Sequence, residues 1–162
     1  MSDEIGPNYW DLLDPIWNKQ PNSDEEFFDW FNTLSEPQKV LFPTHLLEAE
    51  VCNGGFHQYF TNSTGFHAPE AVSGLRALDL DDIADLVEEA MAVAGKPFPR
   101  ERDKREEVLW PMFGEVGEES DPFEEMNDRF FELLRIPGTS EFNSENRFTV
   151  AADNYARRFM TG

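Results

Sequence analysis

Cysteine occurs once in this 162-residue chain, at Cys52, which excludes an internal disulfide and fits a reducing compartment. Basic residues are scarce: 13 Lys and Arg stand against 33 Asp and Glu, for a formal charge of −20. A surface of that sign repels nucleic acid and anionic membranes and attracts cationic partners. It also has a plain explanation in solubility or adaptation to high salt, which the low lysine content fits. Long apolar runs are missing, and none approaches the roughly 20 residues that span a bilayer. The opening Met1-Ser2-Asp3-Glu4 is acidic and leads into no apolar stretch, so no signal peptide is expected and the cytoplasm is the default compartment. Internal repeats, low-complexity segments, phosphate loops and dinucleotide glycine patterns are absent, and no nucleophile–base arrangement stands out. No catalytic residue is assigned and no cofactor is expected; the chain reads as a binder rather than an enzyme.

What is abundant is aromatic carbon. With 15 Phe, 4 Trp and 40% hydrophobic residues, the chain is no disordered acidic tail. Its length fits one domain over residues 1–162, with 1–8 as a loose tail. The apolar spacing predicts an all-α fold of about seven to nine helices with short Pro- and Gly-punctuated connections. Pro15 limits a first helical piece to a turn or two. Ser23 with Glu26, and Ser35 with Gln38, form capping-box pairs that open the next two helices. Phe27, Phe28, Phe31 and Leu34 recur at helical spacing in the first of these. Val40, Leu41, Leu46 and Leu47 face inward from the second, which Pro43 is expected to kink or split. Asp79 opens a helix lined by Leu80, Ile83, Val87, Ala90, Met91 and Ala94 and closed at Gly95. Residues 100–107 read as an exposed helix start laced with ion pairs, ended by Trp110-Pro111, with a loop over Met112–Ser120. Asp121-Pro122-Phe123-Glu124 opens a helix that turns Phe123, Met126, Phe130 and Leu134 inward. A last helix from near Ser144 buries Phe148, Ala151, Ala152, Tyr155 and Phe159.

Two of these helices gather acids on the side opposite their apolar stripe. The first presents Asp81, Asp82, Asp85, Glu88 and Glu89; the second presents Asp121, Glu124, Glu125, Asp128 and Glu132. Segment 79–89 holds six acids and no base, and segment 115–132 holds eight acids and Arg129. Exposed helices ordinarily mix signs to form i,i+4 pairs. Here the local sequence forgoes them, which points to a one-sign surface. Successive carboxylates rise roughly 4.5–6 Å along each axis, and packed neighbours lie about 8–10 Å apart. DNA spaces its phosphates about 3.4 Å along each strand. A basic DNA-reading protein surface fits such a face, and neutralising Asp85, Glu88, Asp128 and Glu132 together is expected to weaken binding. The same acidity also suits an immunity-type inhibitor of a basic nuclease toxin.

His45, Glu48 and Cys52 stand at i, i+3 and i+7, and His57 and His67 follow. These types suit zinc, but no standard ligand motif accompanies them, so no metal is assigned; a buried thiol and partly exposed imidazoles are expected. Asn53-Gly54 between apolar residues is a hairpin signal. The competing reading ends one helix at Asn53/Gly54 and starts another after Gly55, as the spacing of Phe56, Tyr59 and Phe60 favours. The polar residues Glu50, Asn53, Gln58, Tyr59 and Asn62 either line a small-molecule or enzymatic pocket or tie a tight junction between two core helices; the junction is the simpler expectation.

The stretch Leu47–Gly65 contains Glu50-x-x-Asn53-Gly54-Gly55-Phe56-x-Gln58-Tyr59-Phe60-x-Asn62-Ser63-x-Gly65. It resembles the signature of a bacterial family, that of the small DNA mimic protein that antagonises a transcriptional repressor, within a larger group of domains of unknown function. The resemblance covers residues 20–160. It implies an α-helical fold, and helix rather than hairpin at Asn53–Gly55. It also implies a role, occupying the DNA-binding surface of a helix-turn-helix type repressor and relieving repression, so the expected partner is a basic DNA-binding protein of the transcription-factor type. The charge argues against direct contact with nucleic acid or membrane, and the sequence leaves monomer or homodimer open.

Overall fold

The Ser35–Gln38 pair nucleates the central element of the fold. The Ser35 hydroxyl accepts from the Gln38 N–H, the Gln38 amide oxygen accepts from the Ser35 N–H, and Pro37 adds a preset φ in the first turn. In the computed structural model, which describes residues 7–114, 121–139 and 145–160, eight α-helices and two three-ten turns account for the regular structure among the described residues. They are α1 (Trp10–Leu13), α2 (Asp24–Thr33), α3 (Glu36–Thr61), α4 (Ala68–Ala77), α5 (Asp81–Ala94), α6 (Arg102–Gly114), α7 (Glu124–Leu134) and α8 (Arg147–Met160). The three-ten turns are Asp14–Ile16, which contains Pro15, and Ser63–His67.

α3 is the hub, with α1, α4, α6, α7 and α8 packed against it; α5 lies on α4 and α7. The core joins Leu41, Phe42, Leu47, Val51, Phe56 and Phe60 of α3 to Ile83 and Val87 of α5, Phe130 of α7 and Phe148 of α8. Burial of such side chains contributes about 1.5–3 kcal/mol each, before the ordering entropy that offsets most of it.

Several local expectations are corrected. Pro43 neither kinks nor splits α3: the backbone stays helical there, held by the burial of Leu41, Phe42, Pro43 and Thr44. The break falls at Gly54 and Gly55, as the two-helix reading places it. Asp79 does not open α5. It takes a left-handed φ of 60° just past α4, donating its N–H to Arg76 while Leu80 N–H reaches Leu75 C=O. That is a Schellman closure of α4, and α5 starts at Asp81. Nor does Pro111 end α6. The carbonyl that loses its donor belongs to Glu107, which is exposed and can be hydrated. Of the expected loop, Met112–Gly114 is helical and 115–120 lies outside the described residues. Asp121 precedes α7 by three residues, and its carboxylate accepts from Phe123 N–H. Ser144 also lies outside the described residues. α8 begins at Arg147, behind a reciprocal bond pair between Asn146 and Thr149. Phe28 and Phe159 are exposed rather than inward, at 40% and 50%. In the expected tail, Pro7 and Asn8 are tethered, Pro7 C=O by Arg157 and Asn8 by reciprocal bonds to the start of α1.

Residues 101–104 and 107 are exposed and Arg102 pairs with Glu106 at 3.2 Å, as expected of this segment, but Arg105 departs from the reading. Arg105 is fully buried and has no carboxylate partner among the described residues; its guanidinium donates to the backbone carbonyls of Phe60 (2.7 Å), Asn62 (3.0 Å), Pro99 (3.3 Å) and Arg100. Arg102 donates to Thr61 C=O at 2.7 Å. Together they satisfy carbonyls at the C-terminal end of α3, where the helix dipole favours cations.

A candidate partner-binding face

α5 and α7 are neighbours, and both carry their predicted acidic rows outward. Asp81, Asp82, Asp85, Glu88 and Glu89 are exposed on α5, as are Glu124, Glu125, Asp128 and Glu132 on α7. Asp121 is half-buried and serves its turn. A depression lies between the helices, walled by Asp85, Glu88 and Glu89 and bounded by Ala92, Lys96 and Met126.

The expectation that both rows forgo pairing holds only within each segment. Arg76, from α4, reaches Asp85 and Glu88 at 2.9 Å each and Asp81 at 3.6 Å. Arg147, from α8, holds Asp82 at 2.7 Å and 3.2 Å, and this bond keeps the Asp82 carboxyl below its ordinary range. Arg129, from α7, meets Glu89 at 2.9 Å. Five carboxylates against three guanidiniums leave this row two charges negative. On α7, Glu124, Glu125 and Asp128 make no ion pair among the described residues, and Glu132 has a long one to Arg135, 3.7 Å. Of the two predicted rows, the α7 row therefore holds more of the open negative charge. Sequence reading also passed over Asp24, Glu25, Glu26 and Asp29 of α2, all exposed. Their signal was present, a run of acids without a base.

The signature residues determine where α7 sits. Gly55 adopts φ 76°, ψ −179°, a region only glycine enters readily. A Cβ there would lie 2.7 Å from the Asn127 amide of α7. Asn127 Oδ1 in turn accepts the Phe56 N–H at 2.9 Å, one of the donors freed by the break. Phe56 and Phe60 then pack on Phe123, and Phe56 meets Phe130 edge-on. The polar members bond to one another. Asn53 donates to Gln58 at 3.2 Å, and Gln58 and Asn62 both donate to Glu50 Oε2, at 2.8 Å and 3.0 Å. Tyr59 points away from this network into the core, where burial pushes its phenol up. Ser63 opens the following turn, and Gly65 is buried under Arg105.

The histidines separate. His45 Nδ1 meets the Tyr9 hydroxyl at 3.0 Å inside a ring of Tyr9, Trp10 and Trp17. Cys52 is exposed, not buried, with its thiol 3.6 Å from Glu48. Among the described residues no group of His, Cys, Asp and Glu is arranged to hold a metal, and no helix is long and apolar enough to cross a membrane. His67 packs on Phe27, and its pKa is pushed down to about 4, by burial first and then by Arg100 and Arg105. The unfolded chain therefore binds a proton below pH 6.5 that the folded chain refuses until about 4. Stability therefore falls as the pH is lowered from 6.5 to about 4, with a slope of up to about 1.4 kcal/mol per pH unit from this group. Denaturant titrations from pH 7 to 4 should show a shallower decline in His67→Phe; equal declines would disprove the assignment.

Comparison with known proteins adds one match. A family model described as DMP19-like protein covers residues 32–147, a span holding the signature, Arg105 and both acidic helices. No curated protein and no solved structure matches the chain.

Proposed function

This chain belongs to the DMP19-like protein family, and from that premise we propose that it is a DNA mimic that occupies the DNA-binding surface of a basic, helix-turn-helix transcription factor. The observation that carries the reading is the juxtaposition of α5 and α7 with their outward carboxylates. Carboxylate rows stand in for phosphates, steer the cationic partner by long-range attraction, and cover the elements that read the groove. On this reading the protein acts stoichiometrically in the cytoplasm, as a monomer or homodimer, without catalysing a reaction and without binding nucleic acid or membrane itself.

The α7 acids make the sharper test, because Asp85 and Glu88 already serve Arg76. The partner would be captured from host lysate at low salt and identified, then titrated with purified protein in competition with its DNA site. Glu124→Gln, Glu125→Gln and Asp128→Asn combined should weaken binding about tenfold and flatten its salt dependence. Arg76→Gln should strengthen binding several-fold, since it removes a cation from the face and frees three carboxylates. If the triple variant competes with DNA as well as the parent chain does, α7 is not the mimic surface.

A further inference from the structure

A phosphate-like surface accounts for the acids on α7 but not for Phe131, which stands 45% exposed among them. Its ring meets buried Phe130 edge-on, and close to half of the residue's surface is open to solvent. Beside it is a surface depression of about 300 Å³, lined by Asp128, Phe131, Glu132 and Arg135. Asp128 has no ion pair among the described residues, and the Glu132 contact with Arg135 is long.

Resting on the reading above, we propose that this depression is an arginine subsite: a guanidinium from the basic partner lies on the Phe131 ring and hydrogen-bonds to Asp128 and Glu132. The lining selects that occupant. An aromatic face attracts a cation, and carboxylates three residues before and one after the ring offer acceptors at its edge. A planar guanidinium can stack and donate at once, whereas a lysine ammonium acts as a point charge. The molecule builds the same arrangement within its own fold. Arg100 lies 5.1 Å over the Phe28 ring and 5.3 Å over Phe66, while donating to both oxygens of Glu70 at 2.6 Å and 2.8 Å. On α7 the ring and the acids are present beside Arg135, whose 3.7 Å contact reaches Glu132 alone, so Asp128 and the ring remain for a guanidinium that the partner supplies.

Two synthetic peptides of equal length and charge, one of Arg-Ala repeats and one of Lys-Ala repeats, test this against the full chain. Titrations at low salt and at about 0.15 M should show the arginine peptide preferred about fivefold. Phe131→Ala should abolish the preference while leaving lysine-peptide affinity and the salt slope unchanged, and Phe131→Trp should widen it. A preference that survives Phe131→Ala, or none in the parent chain, overturns the subsite and leaves the acidic-face reading standing. Binding of neither peptide at low salt overturns both. Self-association that Phe131→Ala abolishes, with no peptide preference, assigns the ring to a second copy and also overturns the subsite.

Discussion

Arg105→Ala is expected to lower the stability of the fold by about 3–5 kcal/mol, a large share of what holds a domain of this size together. The side chain is wholly buried and its donors are spent on backbone carbonyls from two segments, Phe60 and Asn62 at the end of α3 and Pro99 and Arg100 before α6. Each buried acceptor left without a donor costs about 1–3 kcal/mol. Part of that loss is offset because the charge no longer has to be kept out of water; burial already pulls the Arg105 pKa down. Arg105→Lys keeps the charge but not the fork, so a single ammonium cannot reach all four carbonyls, and it should recover less than half of the loss. Urea denaturation of the three proteins measures this. A loss below about 1 kcal/mol in the alanine variant would mean that water or neighbouring donors replace the guanidinium.

The second large effect is expected at Gly55. Alanine there combines backbone strain of about 1–3 kcal/mol with the displacement of Asn127, whose bond to Phe56 N–H contributes about 1 kcal/mol more. The total, about 3 kcal/mol, should come with weakened partner binding, because Asn127 belongs to the helix that carries Glu124, Glu125 and Asp128. A loss below about 1 kcal/mol in Gly55→Ala, read by thermal or urea melts, would refute the role given to the left-handed backbone at Gly55.

These two residues differ in how far the sequence announces them. Gly55 lies in a motif whose glycines, flanking amides and helix-spaced aromatics already point to a broken helix, and its conformation depends on neighbours within a few residues. Arg105 lies in a run of alternating charges that reads as a solvated face, because nothing within its own helix shows that α3 ends against it. The same contrast holds for the site. The acids of α5 and α7 are outward by helical periodicity alone, yet which of them are open is decided by arginines from other elements.

The sequence alone determined the features set by short-range geometry and by period. These are the all-helical class, the Ser35–Gln38 cap, the closure of α5 at Gly95, the break at Gly54–Gly55 and the side of α5 and of α7 that faces water. Each depends on residues within about one turn, where covalent connectivity fixes the distances. Tertiary structure decided what depends on chain segments far apart: that Asp79 closes one helix instead of opening the next, that α5 and α7 lie side by side, and that Arg76, Arg129 and Arg147 cover the α5 row while the α7 row stays open. Electrostatic attraction falls with distance and is screened by salt, so which carboxylate is neutralised is set by packing and not by position along the chain.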